Sequence, residues 1–389
     1  MPYPAVLKSI ARSMPVMGWV VEERDRLRGE VQRLAVQRDT LGQRLADLEQ
    51  EHEALLRRVV ELEADRDYRA KLEREIEHFK DVDVHALPPI FHYWSNTHLR
   101  PLFEACGIDD IDGFFAQHLF ESARRCDVPA RFVSIGSGNC DLEVRVATRL
   151  RAMGLQSFTL ECLELNPHML ARGREHAAAA GVADLVEFVE GDFNAWRPRG
   201  PYSAAMASHS LHHVVNLEGL FDGIKSSLPE GGRFVVSDII GRNGHQRWPE
   251  ALEQVQALWR EMPERCRYNL LLSRHEPEYV NHDCSTEGFE GVRAQDILPL
   301  LVERFDFPVF VAFANVIAPF VDRAFGHHFD PESASDRAFI DRIHAIDEDG
   351  FRSGALKPTQ MIAVMSPSAV ASHRVARGLT PQRSIRPPD

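Results

Sequence analysis

Leucine returns every seventh residue at Leu27, Leu34, Leu41, Leu48, Leu55 and Leu62, preceded by Val20 and resumed at Ile76. Only Gly29 and Gly42 interrupt the run and no proline does, so the period predicts a long α-helix with a coiled-coil seam over residues 20–80. If the leucines take the d positions, the a positions are Val31, Arg38, Leu45, His52, Val59 and Arg66. Alternating apolar with polar residues costs stability but fixes register and favours few strands. A homodimeric zipper is therefore expected. Residues 1–19 form a separate N-terminal segment, in which Val6, Leu7, Ile10, Met14 and Met17 share one helical face.

The seven-residue period stops at Leu87-Pro88-Pro89, a breaker that marks a boundary. Residues 81–130 read as a helical cap rich in Phe91, Tyr93, Trp94, Phe103, Phe114, Phe115 and Phe120. From Arg131 short apolar runs alternate with helical stretches. Strands are predicted at Phe132–Ile135, Phe158–Leu163, Val186–Val189, Ala204–Ala207 and Arg233–Asp238, with a later pair at Phe307–Phe313 and Gln360–Met365. That alternation predicts an α/β domain over residues 131–365, a doubly wound, mainly parallel sheet covered by helices on both faces. Two insertions, at about 246–292 and 314–357, exceed what the sheet needs. Residues 366–389, with Pro, Ser and four Arg, read as a disordered tail.

At 389 residues the chain is too long for one ordinary core. A net charge of −13 repels phosphate backbones, so nucleic acid is not an expected partner. The six cysteines contain no CxxC pair and read as reduced thiols. No ~18-residue apolar stretch predicts a membrane span, and the first 20 residues lack the unbroken apolar run of a secretory leader. A cytoplasmic location is the expectation.

Three strand ends carry the chemistry. The first runs into Gly136-Ser137-Gly138-Asn139-Cys140-Asp141, a glycine-rich turn that lets backbone approach a ligand and aims helix N–H groups at it. The second ends at Glu164-Leu165-Asn166-Pro167, where a carboxylate can accept from both hydroxyls of a ribose. The third ends at Gly191-Asp192-Phe193, an acceptor for an exocyclic amine beside a ring that can stack on a purine. In this order they resemble the class I S-adenosylmethionine-dependent methyltransferases, over roughly Arg131 to Met365. The resemblance implies the Rossmann-like, seven-stranded methyltransferase sheet and S-adenosyl-L-methionine as cofactor. It implies that Gly136, Ser137 and Gly138 wrap the methionine part, that Glu164 with Leu165 holds the ribose, and that Asp192 and Phe193 hold adenine, with Ser208 also at the cofactor. Two positions depart from the family pattern: Cys140 stands where a third glycine is common, and Ser134 where an acid is. A dinucleotide enzyme is the competing reading, but its GxGxxG needs glycine where Asp141 stands.

In open α/β sheets ligands bind outside the carboxyl ends of the strands. The fourth strand delivers Ser208-His209-Ser210-Leu211-His212-His213 to that edge. A hydroxyl or ammonium acceptor needs a general base, and neutral imidazole suits that task near pH 7. His209 is the leading candidate, with His213 second. A metal held by His209, His212 and His213 is not expected, because no carboxylate stands at ligand spacing. Tyr93, Trp94, Arg100, Arg242, Asn243 and His245 are candidate substrate contacts, with the insertions as a roof excluding water. The whole reads as a methyltransferase acting on a small-molecule or glycan acceptor. The alternatives are a coiled-coil scaffold with a ligand-binding but inactive domain, and a protein methyltransferase.

Overall fold

A computed structural model of the chain describes residues 15–78, 87–286 and 288–387. The chain divides into two units, Met1–Ala70 and Lys71–Asp389. The first is the body of helix α1 (Pro15–His78), 64 residues long, whose last turns from Lys71 belong with the second unit. The seam leucines of α1 stand in solvent: Leu27, Leu34, Leu41 and Leu48 are 48, 54, 65 and 61 % exposed. The segment Val6–Met14 and the side chains of Met17, Leu55, Val59 and Leu62 lie outside the described residues. No described helix is long and apolar enough to cross a membrane.

The second unit opens with short helical pieces, α2 (Pro89–Trp94), a π-helical turn (Ser95–Leu99) and α3 (Arg100–Glu104). Pro101 supplies no N–H to the preceding turn, which accounts for the break in the α-helical ladder there. Helix α4 (Ile111–Arg125) starts where Asp110 accepts from the Gly113 N–H at 2.8 Å. Then follow β1 (Arg131–Ile135), α5 (Asp141–Ala152), β2 (Thr159–Glu164), α6 (Pro167–Ala179), β3 (Val186–Glu190), β4 (Ala204–Ser208), α7 (Leu217–Ser227) and β5 (Arg233–Ile239). The first insertion carries α8 (Pro249–Glu261) and a small hairpin, β6 (Tyr268–Asn269) with β7 (Arg274–His275). After α9 (Ala294–Arg304) and β8 (Asp306–Phe313), the second insertion carries α10 (Ala318–Val321) and α11 (Ala334–Ser353), and the chain returns through β9 (Gln360–Ser366).

Among the described residues the sheet has eight strands, one more than the resemblance implied, in the order β10 (Arg374–Val375)-β8-β9-β5-β4-β1-β2-β3. Strands β1 to β5 pair in parallel, and β9 runs antiparallel between β5 and β8. The central strands are apolar without alternation because helices cover both faces: Ala204, Ala205, Met206 and Ala207 of β4 are all buried. Strand order reverses between β1 and β4, which opens a crevice at their carboxyl ends.

The tail corrects the expectation of disorder. Val375 and its neighbour form β10 (Arg374–Val375), parallel to β8, followed by α12 (Pro381–Ser384). Ala376 and Leu379 are buried, Arg374 donates to the Cys106 carbonyl at 2.7 Å, and the Val370 N–H donates to Asp306 at 2.6 Å. The polar composition concealed a few apolar residues that have a sheet edge to cover.

The insertions are stitched together from inside. The buried Asp347 of α11 accepts from the N–H groups of Asn315, Val316 and Ile317 at 2.9, 2.8 and 3.2 Å. Buried Arg247 donates to the Asn315 carbonyl at 2.8 Å.

Candidate active site

The turn after β1 is built for close approach. Gly136 and Gly138 take φ of +66° and +54°, a region open to glycine at little cost. A Cβ on Gly136 would lie 2.6 Å from the Ser210 Cβ, so the β1 and β4 ends meet only because glycine stands there. A Cβ on Gly138 would meet nothing within 4 Å, so this glycine borders open space. Cys140, at φ +57°, begins α5 without a side-chain cap, which leaves first-turn N–H groups to a ligand. Its thiol is buried, 3.4 Å from the Ser137 hydroxyl.

Glu164, at the end of β2, is buried and accepts from the Gly138 N–H at 2.8 Å and the Asn166 N–H at 2.9 Å. Burial pushes its carboxyl up, and those two donations work against the rise. Leu165 follows it, half-buried, and Asn166 caps α6 through the His168 N–H at 3.0 Å. Beyond β3, Asp192 accepts from the Asn194 N–H at 2.8 Å and Phe193 is buried beside it. The glycine turn, Glu164 and the Asp192-Phe193 pair thus end three adjacent strands, β1, β2 and β3. That cradle, with open space at Gly138, fits an adenosine with an amino-acid arm.

The acid missing at Ser134 comes from elsewhere. Glu143, one turn into α5, is buried and accepts from the Ser134 hydroxyl at 2.7 Å. Burial holds its carboxyl up at about 7, against the donation from Ser134.

Across the crevice, β4 ends at Ser208, paired with Ser237 of β5. His209 follows at φ +52°, its N–H donating to the Ser237 carbonyl at 2.8 Å. The residue as a whole is exposed, with Asp238, His212, Glu290 and His245 within electrostatic reach of it. Surrounding protein lowers its pKa, which favours the neutral imidazole. Leu211, His212 and His213 form a single 3₁₀ turn.

Buried Asp238, at the end of β5, accepts from the N–H groups of Ser210 and Leu211 at 2.9 and 2.8 Å, and its other oxygen lies 2.6 Å from His212 Nδ1. Beyond the ring, His212 Nε2 stands 3.4 Å from Glu290 Oε1. His245 Nε2 reaches the same oxygen at 2.5 Å, and His213 Nε2 lies 3.4 Å from Glu290 Oε2. Burial opposes charge on His212, but the charge of Asp238 and hydrogen bonds to both carboxylates outweigh it and push the ring up to about 10. Burial likewise opposes charge on the two acids, yet His212 holds Asp238 down to about 2, and His212 and His245 hold Glu290 well below the carboxylate range. His245, like Cys140 and His209, sits at positive φ, here +55°. Left-handed backbone costs a non-glycine residue roughly 1–2 kcal/mol and clusters at functional sites.

The end of α1 closes one side. Glu75 accepts from the Phe289 N–H at 3.2 Å and lies 2.7 Å from His213 Nδ1, and Asn166 Nδ2 donates to the Ile76 carbonyl at 3.0 Å.

Of the expected substrate contacts, the structure brings His245 to the cluster. Arg242 donates to the Arg247 carbonyl at 3.2 Å, and Asn243 exchanges hydrogen bonds with Gln295 in the adjoining loop. Tyr93 donates to Asp341 at 3.0 Å, buried Trp94 to His344 at 3.4 Å, and exposed Arg100 to Glu104 at 3.0 Å. These three are occupied within the cap and α11. Glu75, Asp238 and Glu290 were missed by the sequence. An acid at a strand end was a usable signal for Asp238, whereas nothing local marks Glu75 or Glu290.

Residues 110–290 match a family model described as a methyltransferase domain. Among curated proteins no sequence matches the chain. Among solved structures it is similar to a SAM-dependent methyltransferase from Thiobacillus denitrificans in complex with S-adenosyl-L-homocysteine, at 14 % identity and a TM-score of 0.36, covering 72 % of this chain and 99 % of that one. It is also similar to geranyl diphosphate C-methyltransferase from Streptomyces coelicolor A3(2), at 15 % identity and a TM-score of 0.37, covering 65 % and 77 %.

Proposed function

We propose that the chain, whose residues 110–290 match a methyltransferase domain, is a class I S-adenosylmethionine-dependent methyltransferase and that it methylates a small-molecule or glycan acceptor held beside His209. The observation that carries this reading is the meeting of two sets of residues at one sheet edge: the cofactor cradle on β1 to β3, and the imidazole and carboxylate groups on β4, β5 and the first insertion. When bound, S-adenosylmethionine supplies an electrophilic methyl group on a positively charged sulfur. Glu164 and the Gly136–Gly138 turn orient the cofactor, with Asp192 and Phe193 at its base.

Opposite them, His209 would take the acceptor proton as the acceptor's lone pair forms its bond to the methyl carbon and the carbon–sulfur pair returns to sulfur, leaving the neutral thioether. Its lowered pKa keeps the ring neutral and ready to accept near pH 7. Most of the rate then comes from holding acceptor and donor in line. In this reading the insertions roof the crevice, which favours an enclosed acceptor of modest size over an open groove.

The exposed leucine seam of α1 supports dimerisation of two copies. Each leucine buried there adds ~1.5–3 kcal/mol. The chemistry is tested by calorimetry with S-adenosylhomocysteine, followed by labelled donor in cell extract. Binding in the micromolar range and label in soluble metabolites are expected. Label in protein bands would redirect the acceptor to a polypeptide, and absence of binding by folded protein would overturn the reading.

A further inference from the structure

We propose that His212, His245 and Glu290 form a binding site for one divalent transition-metal ion of the zinc type, with Asp238 as the carboxylate that orients His212. The inference deepens the methyl-transfer reading, because the site lies on the acceptor side of the crevice.

One nitrogen from each imidazole and one carboxylate oxygen lie within 4.8 Å of one another. Ligand atoms ~2.1 Å from a tetrahedral metal stand roughly 3.4 Å apart, the separation found between His212 Nε2 and Glu290 Oε1, while His245 Nε2, now 2.5 Å from that oxygen, draws back by about 1 Å to admit the ion. Two imidazoles and a carboxylate suit zinc, iron, cobalt or nickel better than magnesium or calcium, which prefer oxygen.

Donor and acceptor roles are compatible with an ion here. His212 has a carboxylate oxygen at each ring nitrogen, Asp238 at 2.6 Å and Glu290 at 3.4 Å. Carboxylates only accept, so the ring satisfies both either as the imidazolium, donating from each nitrogen, or with one N–H and a metal ion in place of the second proton. In the metal-bound form the Nδ1–H donates to Asp238 and the Nε2 lone pair goes to the ion, the arrangement usual for metal-bound histidine. The partners of Asp238 are His212 and backbone N–H groups, and those of Glu290 are imidazoles. Three ligands leave a tetrahedral ion one position for an outside donor.

The test uses the full chain, treated with chelator and then titrated with Zn²⁺ or Co²⁺. Metal per chain is read by mass spectrometry, and Co²⁺ coordination by its visible absorption. One ion per chain and a tetrahedral Co²⁺ spectrum are expected. His245→Ala and Glu290→Gln should abolish stoichiometric binding, and Asp238→Asn should weaken it ~10–100-fold. Replacing exposed His282 with Ala should leave it unchanged. No ion retained at tens of micromolar metal overturns the proposal, as does His245→Ala binding like the parent with the circular dichroism of folded protein. S-Adenosylhomocysteine binding is measured on the same samples. Cofactor binding without metal sinks the metal site alone, and metal without cofactor sinks the methyltransferase reading alone.

Discussion

His213 and Glu75 lie 2.7 Å apart, Nδ1 to Oε1, although 138 residues separate them in the chain. Through this contact the last turns of α1 become part of the wall of the crevice. Removing Glu75 leaves both His213 and the Phe289 N–H without that acceptor. Losing these two contacts costs ~1–3 kcal/mol, here charged to the docking of residues 71–78. Glu75→Ala should therefore speed amide exchange in that segment by roughly 5–150-fold while the sheet keeps its protection. Unchanged exchange there would show that the contact does not hold the segment.

Glu143 should make stability depend on pH in a direction opposite to that of ordinary ion pairs. Its folded pKa of about 7 exceeds the usual 4.5, so between those values the folded state keeps a proton that the unfolded chain releases. This contribution is complete below about pH 4.5 and is lost as pH rises through 7, up to ~3 kcal/mol in all. Glu143→Gln cannot ionise. Its melting temperature relative to the parent should be higher at pH 8 than at pH 5, and a difference independent of pH would refute the assignment.

Cys140 and Gly173 are matched in size. A Cβ on Gly173 would stand 2.8 Å from the Cys140 Sγ and 3.1 Å from the Phe188 ring. Overpacking of this kind costs typically ~1–3 kcal/mol. Gly173→Ala should lower the melting temperature and, because Cys140 begins α5 beside the glycine turn, weaken S-adenosylhomocysteine binding as well. Paired with Cys140→Gly, most of the loss should return, and a failure to recover would place the strain elsewhere.

The zipper is tested by charge. Leu34→Glu together with Leu41→Glu sets carboxylates into the proposed seam, and sedimentation should report monomer where the parent reports dimer. Cofactor binding should persist, because the proposed cradle lies at the sheet edge and Leu34 and Leu41 are no part of it. A parent chain that sediments as a monomer would remove the dimer from the reading.

The strands and the cofactor cradle were legible because both are written locally. A buried parallel strand is a short unbroken apolar run, and the residues proposed to meet the cofactor, Gly136, Glu164 and Asp192, stand at or just beyond the ends of those runs. The acceptor side is assembled from distant parts. Glu290 stands in a Gly-Phe-Glu-Gly segment with no periodicity, and Glu75 sits in a heptad helix where a carboxylate reads as a solvated charge. His245 carried a signal only of polarity, and its role depends on which carboxylate the insertion returns to it. The absence of an acid near His212 therefore argued against a metal on sequence alone, until Asp238 and Glu290 arrived from other elements. The tail misled for the opposite reason, since two residues of strand leave almost no trace in composition.

That short strand has a consequence for self-association. β10 covers part of the outer edge of β8, with Arg374 tied back to the Cys106 carbonyl. A chain cut before Arg374 would uncover the backbone donors and acceptors of Val309 and Phe310 on this edge strand, a template on which a second molecule can add its own strand. The last turns of the polypeptide thus act as a guard against edge-to-edge aggregation, and C-terminal trimming should produce a sticky protein before it produces an unfolded one.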